Sequence, residues 1–287
     1  MKVAIIGGTG KMGRWFANLL LKDGKDVLIT GRSEQKLLEV KEQLNVETST
    51  SIAAVKSADV VIISVPIDTF EAVVKELQPH IHPEQIILDV TSIKVSPVDI
   101  MHRYLKSASV LGTHPVFGPG ARDLVNKNFV LTPTNEKEQA LAEKVRQYLE
   151  KLGASVSLMP PQEHDKMMAV VLGLSHFIAI VAADTLLGLG KLKTMGDIGG
   201  STYKLLRTLA ESVVSEDAEF YASLQMNLPG LTEMQELFQK NSATWADMVK
   251  NKDRSEFAKK MNSLRTSLEK SDPDFHKAYE NMYKLLD

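Results

Sequence analysis

The chain has no cysteine. That excludes disulfide frameworks, thiolate metal centres and cysteine nucleophiles, and it fits a reducing cytoplasm. Charge of one sign is also missing: 34 Lys and Arg stand against 36 Asp and Glu, for a net charge of −2. The basic residues are scattered rather than clustered, so neither nucleic acid nor an anionic membrane is an expected partner. No metal site is expected either. His80, His82 and His102 fall at helix ends and loops, with no convergent carboxylates. Repeats and low-complexity tracts are absent. The first residues already read as a strand, so no cleavable signal peptide is expected.

What is present begins at the N-terminus. The apolar run Lys2-Val3-Ala4-Ile5-Ile6 leads into Gly7-Gly8-Thr9-Gly10-Lys11-Met12-Gly13, and Met12, Trp15, Phe16, Leu19 and Leu20 then recur at helical spacing. Strand, glycine turn and helix in that order are the setting of a dinucleotide-binding fingerprint. Gly8 is expected to permit the tight turn, Gly10 to admit the pyrophosphate and Gly13 to let helix and strand pack. The N–H groups that open the helix would then face the anion at the positive end of the helix dipole, with Thr9, Gly10, Lys11 and Met12 lining the cofactor.

The second strand, Asp26-Val27-Leu28-Ile29-Thr30, ends in Gly31-Arg32-Ser33 and carries no acid there. A carboxylate at this point binds the ribose hydroxyls of NAD. An Arg flanked by hydroxyl residues instead suits a 2′-phosphate. The expected cofactor is therefore NADP, with NAD possible, read by Arg32 and Ser33 with help from Thr30. Ser33 also suits the cap of the next helix.

Short apolar runs alternate with helical patterns as far as Pro160-Pro161, the pattern of a doubly wound parallel sheet. Asp59–Val65 reads as a buried strand stopped by Pro66, with Asp68 capping a helix and Glu71 in the capping-box position. Ile86–Val90, Val110–Gly112, Phe129–Leu131 and Ala154–Met159 read as further strands. Beyond residue 161 only helical patterns remain. The expected organisation is α/β: a Rossmann-like domain over 1–160 followed by an all-helical domain over 161–287. From Met167 to Leu189 the chain is nearly all apolar, which predicts a buried helix shared between two subunits of a homodimer. Ligands of open α/β sheets sit beyond the carboxyl ends of strands, so Val65 and Pro66 are expected to face the cofactor.

Two strand-end loops look chemical: Asp89-Val90-Thr91-Ser92-Ile93-Lys94 and Gly112-Thr113-His114-Pro115-Val116-Phe117-Gly118-Pro119-Gly120. A His at a strand end, stiffened by the Pro that follows, suits a general base that accepts a proton from a hydroxyl. Ser92 and Lys94 nearby strengthen that reading of His114. Trp15 reads as core beneath the fingerprint helix.

These blocks resemble the prephenate dehydrogenase family. The resemblance also includes Glu163-His164-Asp165-Lys166-Met167-Met168, Leu174-Ser175-His176-Phe177 and Glu216-Asp217-Ala218-Glu219-Phe220-Tyr221, in that order. It implies hydride removal from the ring carbon of a cyclohexadienol onto a nicotinamide, with loss of carbon dioxide, giving 4-hydroxyphenylpyruvate in tyrosine biosynthesis. By position, His114 matches the catalytic His and Ser92 the hydroxyl that helps hold the same group. Lys94 matches a residue near substrate and cofactor, and His176 a helical-domain His in the substrate cleft. His164 belongs to a family block and is read here as a brace or cap for the long helix.

One position departs from the pattern. Where the family carries an Arg five residues before Asp217-Ala218-Glu219, this chain has Ser212. A dianionic substrate still needs cations. Lys204 and Arg207, on one helix face, are the candidates. Three other readings stay open: an arogenate dehydrogenase, a deazaflavin-dependent NADP oxidoreductase, which shares the glycine opening and the Arg of the second strand, and a non-catalytic NADP(H) sensor.

Overall fold

The computed structural model describes residues 1–286. It forms two compact units: Met1–Met168 with Met226–Leu228, and Ala169–Gln225 with the residues from Pro229 on.

The first unit holds one eight-stranded sheet: β1 (Lys2–Ile6), β2 (Asp26–Thr30), β3 (Glu47–Ser49), β4 (Val60–Ile63), β5 (Ile86–Asp89), β6 (Ser109–Pro115), β7 (Asn128–Thr132) and β8 (Ser155–Leu158). Their order is β3-β2-β1-β4-β5-β6-β7-β8, and all neighbours are parallel except β6 with β7. The helices are α1 (Lys11–Lys22), α2 (Glu34–Leu44), α3 (Ile67–Leu77), α4 (Val95–Tyr104), α5 (Glu136–Lys151) and α6 (Pro161–Met168). Alternate residues of β1 feed two cores. Val3 and Ile5 pack with Phe16 and Leu20 of α1 and Leu149 of α5. Ala4 and Ile6 pack with Phe70 and Val74 of α3 and Met101 of α4. A strand covered on both faces must be apolar throughout, which is why these strands read as continuous hydrophobic runs. Chain order reverses between β1 and β4, and that opens the crevice where such sheets bind ligands.

Several sequence expectations shift. β3 has no apolar signature and pairs with β2 only at the sheet edge. Pro66, not Asp68, occupies the cap of α3, and Glu71 accepts from the Tyr104 hydroxyl (2.8 Å) instead of closing a capping box. β6 runs on through His114 and Pro115, because β7 pairs with it antiparallel after β5 has ended. The compact units divide after Met168.

The second unit is helical: α7 (Ser175–Gly188), α8 (Leu192–Ile198), α9 (Ser201–Val214), α10 (Ala218–Asn227, whose last two residues count with the first unit), α11 (Leu231–Lys250), α12 (Arg254–Ser271) and α13 (Ala278–Lys284). α9 ends at Val214, and Asp217 accepts from the Phe220 N–H (2.9 Å) and starts α10 afresh. Ala169–Leu174 forms wider, π-type turns. In α7 only Ala179 is buried, and Val170, Val171, Val181, Leu187 and Leu189 are exposed. The expected burial of the apolar helix is thus not achieved by one chain alone.

Candidate active site

The glycine loop is built by close approaches. Gly7, not Gly8, makes the turn: its φ is +77°, and a Cβ there would lie 2.3 Å from the Ser64 carbonyl oxygen. A Cβ on Gly8 would meet Ile29 at 2.6 Å, and one on Gly13 would meet the Gly7 oxygen and the Gly8 Cα, both at 2.6 Å. At Gly10 the nearest atom is 3.4 Å away, so this position alone is open. α1 starts there with no side-chain cap and no acid in its first turn, which leaves its N–H groups for an anion. Gly10 and Lys11 are exposed, Thr9 is half-buried and Met12 packs on the core. The loop after β4 lies against the same turn, since Val65 Cγ1 is 2.9 Å from a Cβ built on Gly7, and Pro66 beside it is exposed. These residues fit the pyrophosphate of a dinucleotide. Arg32 is exposed and makes no hydrogen bond or ion pair among the described residues, whereas Thr30 is buried. Ser33 caps α2, accepting from the Lys36 N–H at 3.4 Å.

Two strands over, β5 and β6 lie in parallel register, Asp89 beside Gly112. Asp89 is fully buried. It accepts from the Thr91 N–H (3.0 Å), the Thr91 hydroxyl (2.6 Å) and the Thr113 N–H (3.3 Å), and it pairs with the Lys94 ammonium. Lys94 also donates to the Thr113 carbonyl (2.6 Å) and has no exposed surface. Burial pushes its pKa down, and Asp89 pulls it back up. By resemblance Lys94 is expected near substrate and cofactor. Here its ammonium points into the protein, because a buried carboxylate at the end of β5 needs a cation. Ser92, half-buried between Thr91 and Ile93, is the residue of this loop whose hydroxyl makes no protein hydrogen bond among the described residues.

His114 is a strand residue, with its Cα paired to Val130, and is 3% exposed. Its Nδ1 lies 2.8 Å from Nε2 of His164, with the rings edge to face. His164 Nδ1 lies 2.7 Å from Asp165 Oδ1. The Asp165 carboxylate accepts in turn from the backbone N–H groups of Lys94 (2.7 Å) and Val95 (2.9 Å), where α4 begins. His164 and Asp165 are both buried. Among the described residues Nε2 of His114 has no partner. Desolvation first, then His164 and Lys94, holds the His114 pKa well below 6.5, so its ring is neutral at pH 7. In the sequence Asp165 stands only within a block and His164 reads as a brace or cap for the long helix; nothing local marks either as a partner of His114. Trp15 packs against the core, as expected, and is also a latch. Its indole N–H donates to the Ala121 carbonyl (2.6 Å) and its ring meets Phe117 at 4.8 Å, so it ties down the loop that follows His114.

The remaining candidates belong to the second unit. His176 follows the π-type turns, where the Gly173 carbonyl accepts from Gln225 (2.9 Å). It is half-buried and edge-on to Tyr221 at 4.9 Å, and its buried Nδ1 lacks a hydrogen-bond partner. Burial lowers its pKa. Lys204 is exposed, and Arg207 pairs with Glu211 one turn on (2.7 Å). Ser212 turns its hydroxyl back to the Leu209 carbonyl (2.9 Å).

Comparison with known proteins places these features in context. A Methanocaldococcus jannaschii protein named probable arogenate/prephenate dehydrogenase is 37% identical over 91% of this chain and 59% of its own length. A T-protein from Haemophilus influenzae is 28% identical over 79% of this chain and 56% of its own. The chain thus spans less than two thirds of the length of these curated relatives. Among solved structures, prephenate dehydrogenase from A. aeolicus, in complex with hydroxyphenyl propionate and NAD+, superposes with a TM-score of 0.77 at 23% identity, covering 95% of this chain and 98% of that one. Residues 16–158 match the model for the nucleotide-binding domain of prephenate dehydrogenase, and residues 160–263 match the model for its dimerization domain. With both models met in succession over most of its length, the chain belongs to the prephenate dehydrogenase family.

Proposed function

We propose that this protein oxidises and decarboxylates prephenate to 4-hydroxyphenylpyruvate with NADP as the preferred acceptor. One observation carries the reading: a buried imidazole, held neutral, stands on β6 near the carboxyl edge of a sheet that also carries an open glycine cradle. A nicotinamide held in the cradle would supply the acceptor for the hydride that leaves the hydroxyl-bearing ring carbon, and the ring carboxylate would depart as carbon dioxide. His114 accepts the hydroxyl proton at Nε2 as that carbon becomes carbonyl-like, help typically worth about 10²–10⁴-fold. Ser92 offers its hydroxyl to the same oxygen. Lys94 acts as a strut beneath them. Lys11 and Met12, at the start of α1, present backbone N–H groups to the pyrophosphate, with Gly10, whose own N–H donates to the Gly7 carbonyl (3.0 Å), and Thr9, Gly8, Gly13, Val65 and Pro66 shaping the walls.

Arg32 is exposed and, among the described residues, unpaired, which suits a guanidinium that reads a 2′-phosphate, and Ser33 at the head of α2 supports it. Lys204, Arg207 and His176 are assigned to the substrate carboxylates. The Arg207–Glu211 pair is exposed and exchangeable. The exposed apolar surface of α7 and α9, including Val181, Leu187, Leu206 and Leu209, is assigned to a homodimer interface. The helical run Pro161–Gly188 is long and apolar enough to cross a membrane by length and composition. We read it as an interface in a cytoplasmic enzyme, because its first turns bury His164 and Asp165 in the first unit.

The test is absorbance at 340 nm with prephenate and arogenate, each against NADP⁺ and NAD⁺. Prephenate with NADP⁺ is expected to give the highest kcat/KM. His114→Asn should abolish turnover and leave cofactor affinity unchanged. Arg32→Ala should weaken NADP⁺ by about 10- to 150-fold, the worth of a charge-assisted bond, and leave NAD⁺ unaffected. Faster turnover of arogenate, or tighter binding of NAD⁺, would overturn the corresponding half of the proposal.

A further inference from the structure

We propose that Asp165 and His164 form a one-way hydrogen-bond chain that fixes the tautomer of His114, which makes His164 a positioning residue for proton acceptance at His114 Nε2. The inference rests on the reading of His114 as the base.

The direction of the chain follows from its fixed end. Backbone N–H groups can only donate, and two of them, from Lys94 and Val95, donate to Asp165. The positive end of α4 stabilises a negative charge at this point. A carboxylate so placed only accepts, so the proton between it and His164 sits on His164 Nδ1. His164 Nε2 then carries a lone pair and accepts from His114 Nδ1 at 2.8 Å. The single proton of neutral His114 is thereby committed to Nδ1, and Nε2 is left as the acceptor. Reversing any one bond would set two N–H groups against each other in a site that water does not reach. When Nε2 takes a proton, the His114 Nδ1–H bond becomes charge-assisted and the Asp165 carboxylate two groups away offsets the new charge. The charged and titratable groups around His114 are His164 and Asp165 from α6, Lys94 ahead of α4 and Asp89 from β5.

The experiment compares His164→Gln with His164→Phe in the full-length protein saturated with NADP⁺, with prephenate as substrate. The Gln amide oxygen can still accept from His114 Nδ1–H, whereas the Phe ring fills the space without an acceptor. His164→Phe is expected to lower kcat by about 10²-fold or more and to leave the KM of NADP⁺ unchanged. His164→Gln is expected to stay within about tenfold of the parent. In the parent, ¹⁵N NMR of His114 should show the proton on Nδ1, and His164→Phe should shift it toward Nε2. Unchanged kcat in His164→Phe, equal losses in two folded variants, or a parent proton on Nε2 would each overturn the inference. If His164→Phe fails to fold, the parent spectrum still decides. If the parent turns over neither prephenate nor arogenate, the proposed activity fails, and the spectrum judges the tautomer independently.

Discussion

Lys94 offers the sharpest test of how the site is built. Its ammonium and the Asp89 carboxylate have no exposed surface, and they bond to each other. Lys94→Met keeps the aliphatic stem and removes the charge. Three donors to Asp89 remain, from Thr91 and Thr113, but the carboxylate loses its counter-ion and the Thr113 carbonyl loses its side-chain donor. Breaking a buried pair on one side costs about 3–5 kcal/mol. For a domain the size of the first unit, each kcal/mol moves the melting temperature by about 2–4 °C. The expected fall is therefore about 6–20 °C, read by calorimetry or by near-UV circular dichroism. Asp89→Asn added to Lys94→Met should recover part of the loss, since an uncharged amide needs no counter-ion. Steady-state kinetics well below the melt should show little change in KM for prephenate. A melting temperature within about 2 °C of the parent, with KM raised tenfold, would refute the strut and restore Lys94 as a substrate ligand.

Other expectations follow from the same geometry. His114 is a base whose folded pKa is held well below 6.5, so the unfolded chain binds the extra proton first as pH falls. The associated stability is fully present above pH 6.5 and is lost below it, at up to about 1.4 kcal/mol per pH unit. Urea midpoints between pH 7.5 and 5.0 should fall more steeply for the parent than for His114→Asn, and equal slopes would contradict this. Gly13→Ala forces a Cβ to within 2.6 Å of two backbone atoms and should cost about 1–3 kcal/mol. Gly10→Ala, with its nearest atom 3.4 Å away, should melt like the parent yet bind NADP⁺ more weakly by fluorescence titration. Trp15→Phe removes the bond to Ala121, worth about 0.5–1.5 kcal/mol. It should speed proteolytic cleavage between Phe117 and Ala121, and unaltered protection would show that Trp15 is not a latch.

Signals that are local in sequence were readable. The glycine spacing, the buried strands and the His114-Pro115 block each depend on neighbours a few residues away, and the fold class and family follow from them. Signals that depend on distant partners were not. Asp89 looks like any strand-end acid until Lys94 is seen to reach it. Pro115 looks like a stop until β7, more than ten residues on, extends the pairing of β6. Spacing points to Gly8 as the turn residue because it does not reveal that the Ser64 carbonyl crowds Gly7. Asp217 was read only as part of a block, although an acid three residues before the Phe220 N–H is also a helix cap.

The division between the two units turns on the same distinction. Composition changes at Pro160-Pro161, where strand patterns stop, and a boundary at 160 follows from that alone. Compactness follows polar satisfaction instead. The first turns of α4 leave backbone N–H groups unpaired, and those of Lys94 and Val95 are buried or half-buried. The carboxylate that satisfies them is Asp165, some seventy residues on. His164, one residue earlier, is tied to His114. α6 therefore belongs with the sheet although nothing in its composition resembles a Rossmann helix, and the division falls after Met168. Three segments remote in sequence, the loop after β5, the end of β6 and α6, meet around hydrogen bonds that none could complete alone. That mutual dependence is what holds a neutral imidazole in a fixed orientation at the edge of the sheet.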